Sequence, residues 1–460
     1  MCYEYRKNPD LKQHQHFLEF ADEWEGMPSR ERKFLLEERL TKGFKRPSML
    51  RFWDKFDMVY GFCLDVMHQY DEGVVRWMVG QIVALDGNSG ITKAQFNDIE
   101  RRWLSIIVPG HESRKVRSLR DYKTWKGHEL RFFIQHCAPF VLKDNCPEGF
   151  YFQICLLSRV AWLVTQDEVT QDDVKEVESK SIRFVKAFQE YFGVDQMKYS
   201  IHLMIHIALA LKLFGPLHLV SCYRPENELG RVARRICGTY NSTKNIMDSF
   251  LKLNECAARM QEMLADNNAQ VVATARCILG ILQTPFVRKS SAGTCRLIGK
   301  PEDPRDGDPY DALQKQAHLL KEHWSPEHFL FFKRAALESG IFVRTSWHNK
   351  LCNRNEYIVM DGSSRVLKVR SIIAVMDATK TTVVHTFIFG TLLEHIEEEE
   401  FEGRIAGMYK AECPHIFLAK PCKDILVKTS EIKKQMVYLG FSDTHRALFL
   451  SSPSNMYMTT

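Results

Sequence analysis

The hydrophobic period of this chain changes once, and that change limits it to folds in which a helical body precedes a sheet. Upstream of residue 285 the apolar residues recur at helical spacing. In GVVRWMVGQIVAL (73–85), Val74, Val75, Met78, Ile82 and Leu85 form one stripe with Asp71 and Glu72 ahead of them as cap and dipole partners, so a helix is expected just after residue 72. TQDDVKEVESKSIRFVKAFQEYFG (170–193) has a capping Thr170, early acids, a stripe through Val174, Val177, Phe184, Val185 and Phe188, and a terminal Gly193. It reads as an amphipathic surface helix. YSIHLMIHIALALKLFGP (199–216) is apolar nearly all round and stops at Gly215-Pro216, which predicts a buried central helix.

Residues 288–311 carry Gly, Pro, Ser and mixed charge without periodicity, the composition of a linker. Beyond a short helix around 312–338, GIFVRTSW, NEYIVMDG, RVLKVRSIIAVM and TTVVHTFIFG are β-branched and aromatic with polar or Asp-Gly breaks, as strands are. The expected fold class is α+β: a mainly α-helical region followed by a small, separate β-rich C-terminal domain. The expected boundaries are 1–44 (helical or irregular), 45–285 (helical), 286–311 (linker) and 312–460 (β-rich). The acidic run EEEEFE (397–402) reads as a solvated loop of the last domain, and no internal repeat is visible.

No apolar run approaches the roughly 20 residues of a membrane span, and MCYEYRKNPDLKQHQHF is too polar for a secretory leader. Thirteen cysteines without a CxxC fit free thiols in a reducing compartment, so the nucleus or cytoplasm is expected and secretion is not. The triplet Asn241-Ser242-Thr243 is then silent as a glycosylation signal. A net charge of +6 permits nucleic-acid contact without arguing for it. Within HESRKVRSLRDYKTWKGHELR (111–131), Arg114, Lys115, Arg117, Arg120, Lys123 and Lys126 alternate with Tyr122 and Trp125, the mixture of a phosphate-tracking surface or of a solvated connection.

Three polar constellations interrupt the apolar elements. Asp65 and His68, three apart in GFCLDVMHQYDEGVV, meet if the segment is a helical turn and part if it is a strand. They are either a site or a structural hydrogen-bonded pair. His202 and His206, four apart, stack on one face and could ligate one metal or be satisfied in a core. In CYRPENELGRVARRICG (222–238), Glu226 and Glu228 lie near a helix start with Arg231, Arg234 and Arg235 behind. A carboxylate at the mouth of a basic helix suits a divalent-metal phosphodiester site, while a surface helix with a Glu228–Arg231 pair is the plainer alternative.

In this order the constellations resemble the C-terminal half of CACTA-like (En/Spm-like) DNA transposases and host proteins derived from them. FDMVYGFCLDVMHQYDEGVVRWMV is similar to the pattern "FD…GF.iD.MH…lGvvk", and VRSLRDYKTWKGHELRFFIQHCAPFVLKD to "R.sL..y..WKasE.r.fllY..p.vLk". YSIHLMIHIALALKLFGPLHLVSCYRPENELGRVARRICGT is similar to "y.vH.LlHl…..fGPL…s.fpfE..nG.lkr...gt", so the likeness spans residues 45–245, with a weaker one in the β-rich tail. It implies a partial ribonuclease-H-like core with a helical insertion, in which three acids bind two divalent metals. By motif match Glu226 is the third catalytic carboxylate, Asp65 and His68 are the Asp-x-x-His element, and His202 and His206 are half of a zinc site whose other half is a CxxC. The family's first two catalytic aspartates and its CxxC precede the first matching phrase, so they are expected to be missing here. The implied function is a catalytically incomplete, transposase-derived protein that binds DNA or a protein partner, such as a second copy or a transposase chain. Mg or Mn is implied only for an active enzyme, and Zn only in an incomplete site. The alternative is a DNA transposase or nuclease subunit whose missing aspartates come from another chain or from upstream sequence.

Overall fold

In a computed structural model of the chain, residues 5, 13–32, 47–84, 90–108, 114–233, 242–266, 268, 270–272, 287–289, 295–303, 308–337, 341–346, 357–396, 412–441 and 448–451 are described. The architecture is α+β, with helices up to residue 272 and, from residue 287 on, antiparallel sheets joined by one further α-helix. The helices are α1 (His14–Gly26), a π-helix (Val66–Val75) that runs into α2 (Arg76–Val83), α3 (Lys93–Leu104) and α4 (Gly127–Phe132). Then come α5 (Ala138–Leu142), α6 (Glu148–Leu163), α7 (Gln171–Phe192), α8 (Tyr199–His202) and α9 (Ile207–Phe214). The last are α10 (Tyr223–Ala233), α11 (Ser242–Leu264) and α12 (Tyr310–Leu320).

α7 forms where the caps place it. The Asp173 backbone N–H donates to Thr170 Oγ1 at 3.2 Å, and the Thr170 N–H donates to the Asp173 carboxylate at 2.8 Å. Gly193 ends the helix at φ 85°, a left-handed angle that suits glycine. The central helix is α6, which buries eleven of its sixteen side chains and packs along α7. That place was expected for 199–216. Instead those residues break into α8, a 3₁₀ turn (Leu203–His206) and α9, with Ile207, Ala208, Ala210 and Leu211 buried and Leu209 and Leu213 exposed. A stretch can be apolar all round and still have a partner on one face only.

The strands are β1 (Val287–Lys289), β2 (Cys295–Ile298), β3 (Phe329–Phe332), β4 (Arg334–Leu337), β5 (Phe342–Arg344), β6 (Ile358–Asp361), β7 (Val366–Met376), β8 (Val383–His395), β9 (Ile416–Lys428), β10 (Ile432–Gln435), β11 (Val437–Phe441) and β12 (Leu448–Ser451). Four form one sheet in the order β1-β2-β4-β5, and eight form another, β10-β6-β7-β8-β9-β12-β11 with β3 also on β7. Gly390 sits across from Val369, where a Cβ would lie 2.6 Å from the Lys368 carbonyl oxygen, so the ladder tolerates no side chain there.

Two expectations change. The 286–311 segment contributes β1 and β2 to a sheet, because each finds a ladder partner that its own composition does not announce. The helix expected over 312–338 ends at Leu320, and FLFF (329–332) pairs with β7 instead. The β-rich region is also not separate. Cys413, Ile416, Val437 and Leu439 belong to the same hydrophobic core as α6 and α7. Glu412 accepts from Lys180 at 2.5 Å and from Arg183 at 2.6 Å, while the Cys413 thiol donates to the Cys155 carbonyl. His415 stacks on Trp162, with Nε2 3.0 Å from the Gln135 carbonyl oxygen. The run 397–402 lies outside the described residues. Among those described, no single helix is long and apolar enough to cross a membrane.

Candidate functional site

Asp65 ends the extended segment before the π-helix and caps it. One carboxylate oxygen accepts from the Met67 N–H at 3.3 Å and from the Cys222 N–H at 2.8 Å. The other accepts from the His68 N–H at 3.0 Å and lies 2.5 Å from His68 Nδ1. Burial alone would raise the Asp65 pKa, but the N–H groups of Cys222 and His68 and the imidazole outweigh it, and the carboxyl is held below its ordinary value. The helical alternative left open by the 65–68 spacing is thus the observed one. The cap of this helix is Asp65, not Asp71 or Glu72.

Asp71 is instead fully buried. Arg131 forks onto it with two hydrogen bonds of 2.7 and 2.6 Å, and the Tyr223 hydroxyl donates to it at 2.7 Å. Burial by itself would lower the Arg131 pKa, but Asp71 raises it, so the guanidinium stays charged. Gly127 lets Tyr223 in, since a Cβ there would lie 2.7 Å from the Tyr223 hydroxyl. The three-way contact ties the π-helix, α4 and the start of α10 together.

That clamp carries Cys222 and Glu226 to His68. Glu226 Oε1 lies 3.7 Å from His68 Nε2, and both side chains are about half exposed at 53% and 52%. Cys222 Sγ lies within 4.8 Å of an Asp65 carboxylate oxygen and of a His68 ring nitrogen. Burial, followed by the charges of Asp65 and Cys222, pushes the neighbouring Cys63 thiol up to about 11. The sequence reading found Asp65, His68 and Glu226 but missed Cys222, Asp71, Arg131 and Tyr223. Only the first position of the phrase CYRPENELG pointed toward Cys222.

His202 and His206 meet as expected, with ring centroids 5.3 Å apart and both pKa values lowered by burial. Among the described residues no third Cys, His, Asp or Glu joins them in a metal-ligand group. The carboxylates here do not fit a two-metal nuclease set either. Asp65 has each oxygen engaged by two donors, while Glu226 is half exposed.

The basic residues divide. Arg117 is spent on structure, forking onto Glu129 with two 2.8 Å bonds and reaching Thr124, and Trp125 is buried against Trp103 and Phe133. Lys123 and Lys126 are exposed. Lys123 and Lys198 line an open groove of about 500 Å³ with Arg76, Trp77 and Tyr122. Arg76 is held by the Tyr122 and Trp125 carbonyls and by Glu72. Arg231 lies in α10 but its side chain is outside the described residues, as are Arg234 and Arg235 and the expected Glu228–Arg231 pair. Comparisons with protein families, curated proteins and solved structures return no match.

Proposed function

We propose that the chain is a transposase-derived, catalytically incomplete protein that binds DNA through its phosphates. The observation that carries this reading is the groove beside the π-helix, where exposed lysines stand next to aromatic faces. Lys123 and Lys198 supply exposed positive charge on the groove wall, while Trp77, packed on Phe188 and Phe192, and Tyr122 form its partly buried floor. The convergence of Asp65 and His68 with Glu226, 158 residues further on, supports the ancestry. The four donors on Asp65 support incompleteness, because a carboxylate with no open lone pair does not take a catalytic metal.

Fluorescence anisotropy with duplexes of unrelated sequence tests the binding. Similar affinities at low salt are expected, since phosphate contacts carry no sequence information. Absence of binding at low salt would refute it. Incubation of the same duplexes with Mg²⁺ or Mn²⁺ is expected to leave the strands intact. Cleavage that disappears in Glu226→Gln would replace this reading with a nuclease subunit.

A further inference from the structure

We infer that α11 (Ser242–Leu264) pairs with the same helix of a second copy of this chain, antiparallel, across a two-fold axis. The pairing stands independently of DNA binding. Three features carry it.

The first is spacing. Ile246, Phe250, Leu253, Ala257, Met260 and Leu264 follow one another at alternating steps of four and three residues, so one apolar seam runs along the helix. Met247, Ser249, Asn254, Cys256, Gln261 and Met263 flank that seam, and none of them is charged. All six charges, on Lys244, Asp248, Lys252, Glu255, Arg259 and Glu262, fall on the outer positions of the heptad. Two of them are spent on each other, with Arg259 and Glu255 2.6 Å apart. A helix whose charges are confined to one side is patterned to bury the other.

The second is exposure. Among the side chains of α11 that are described, none is buried. Phe250, on the seam, is 42% exposed, and Met247 beside it is 55% exposed. α7, by contrast, buries Val177, Phe184, Val185 and Phe188 within its own chain. The seam of α11 therefore has apolar surface left to give to a partner.

The third feature selects the partner. Reversed against itself, the seam matches: residue 246 meets 264, 250 meets 260 and 253 meets 257, all about Glu255, as a two-fold contact requires. Lys244, Asp248 and Lys252 give the first half of the helix two positive charges and one negative, while Glu255, Arg259 and Glu262 give the second half the reverse. Antiparallel pairing lays each positive half along a negative one and opposes the two helix dipoles. Parallel pairing sets like beside like. A seam of 23 residues is about 35 Å long, a short one, so the dimer forms and dissociates with concentration.

Sedimentation velocity of the reduced, DNA-free, full-length chain from about 1 to 100 µM tests the pairing. The expected result is a mass that rises from one chain toward two, with no larger species. Phe250→Glu and Met260→Lys, each with an unchanged far-ultraviolet circular dichroism spectrum, should each sediment as a monomer, since a charge then enters the seam unpaired. Mixing the two variants should restore the dimer, because only the antiparallel arrangement sets residue 250 of one chain against residue 260 of the other. A short bismaleimide gives a second reading that needs no change in the seam. It should link two native chains through the exposed Cys256, next to the axis, and the link should be lost in Cys256→Ser. A native chain that stays monomeric across the range, a single variant that dimerises like the native chain, a mixture that stays monomeric, or a cross-link that survives Cys256→Ser would overturn the assignment. No DNA is present, so failure here leaves the phosphate-binding reading untouched.

Discussion

Asp71→Asn should destabilise the helical body by about 3 kcal/mol, the lower end of the range for breaking a buried ion pair by removing one partner. Arg131 is 1% exposed and Asp71 fully buried, so the variant leaves a guanidinium in the core without a counter-charge. Asparagine still accepts one hydrogen bond, from Arg131 or from the Tyr223 hydroxyl, which places the loss at the lower end. A cooperative unit of roughly 150–250 residues shifts by about 2–4 °C per kcal/mol, so Tm should fall by about 6–12 °C. Differential scanning calorimetry on the full chain reads the shift. Replacing both partners, Asp71→Leu with Arg131→Met, should recover most of it, because an apolar pair of similar volume leaves no charge unpaired. A shift below about 2 °C in Asp71→Asn, or a double variant less stable than either single one, would refute the claim that this pair is a charged clamp.

Two further predictions concern the contact between sheet and helices. For Glu412, burial raises the pKa but Lys180 and Arg183 more than offset it, so the folded value is depressed. The contact therefore adds stability above the ordinary glutamate range and loses it as pH falls through the folded pKa. Glu412→Gln should lower Tm at neutral pH and remove that part of the acid sensitivity, as read in thermal melts from neutral to acidic pH. Burial holds the His415 pKa well below 6.5, so folding excludes a proton that the unfolded chain binds. Stability should fall as pH drops below the unfolded value, by at most about 1.4 kcal/mol per pH unit for this group. His415→Phe should flatten that slope, and an unchanged slope would show that His415 is not excluded from protonation.

Sequence carried the helix of 170–193 because its boundaries are local: Thr170, Asp173 and Gly193 need no distant partner. The strands within 358–390 were legible for the same reason, since β-branched runs bounded by turns announce themselves. What local text could not supply was the partner. FLFF is a strand because β7 is there to pair with it, and the 286–311 segment carries strands because β4 offers an edge. Burial of 199–216 all round was expected, but among the described residues Leu209 and Leu213 are exposed, which no periodicity could have announced. At the site, Asp65 and His68 were visible through their spacing, and Glu226 through the text around it. Cys222 was not, because its role comes from an N–H bond across 157 residues. Arg117 reads as a basic surface residue, and its pairing with Glu129, twelve residues on, is not announced by the local text.

The salt dependence of DNA affinity tests the central claim most directly. In anisotropy titrations, the logarithm of the association constant should fall linearly with the logarithm of salt concentration, by about 0.9 for each phosphate neutralised on duplex DNA. Removing three lysines together, Lys123→Ala, Lys126→Ala and Lys198→Ala, should make that slope shallower by up to about 2.7 without altering the melting curve. A native chain with no measurable affinity at about 50 mM salt, or a triple variant whose slope matches the native one, would contradict the assignment of a phosphate-binding surface to this face.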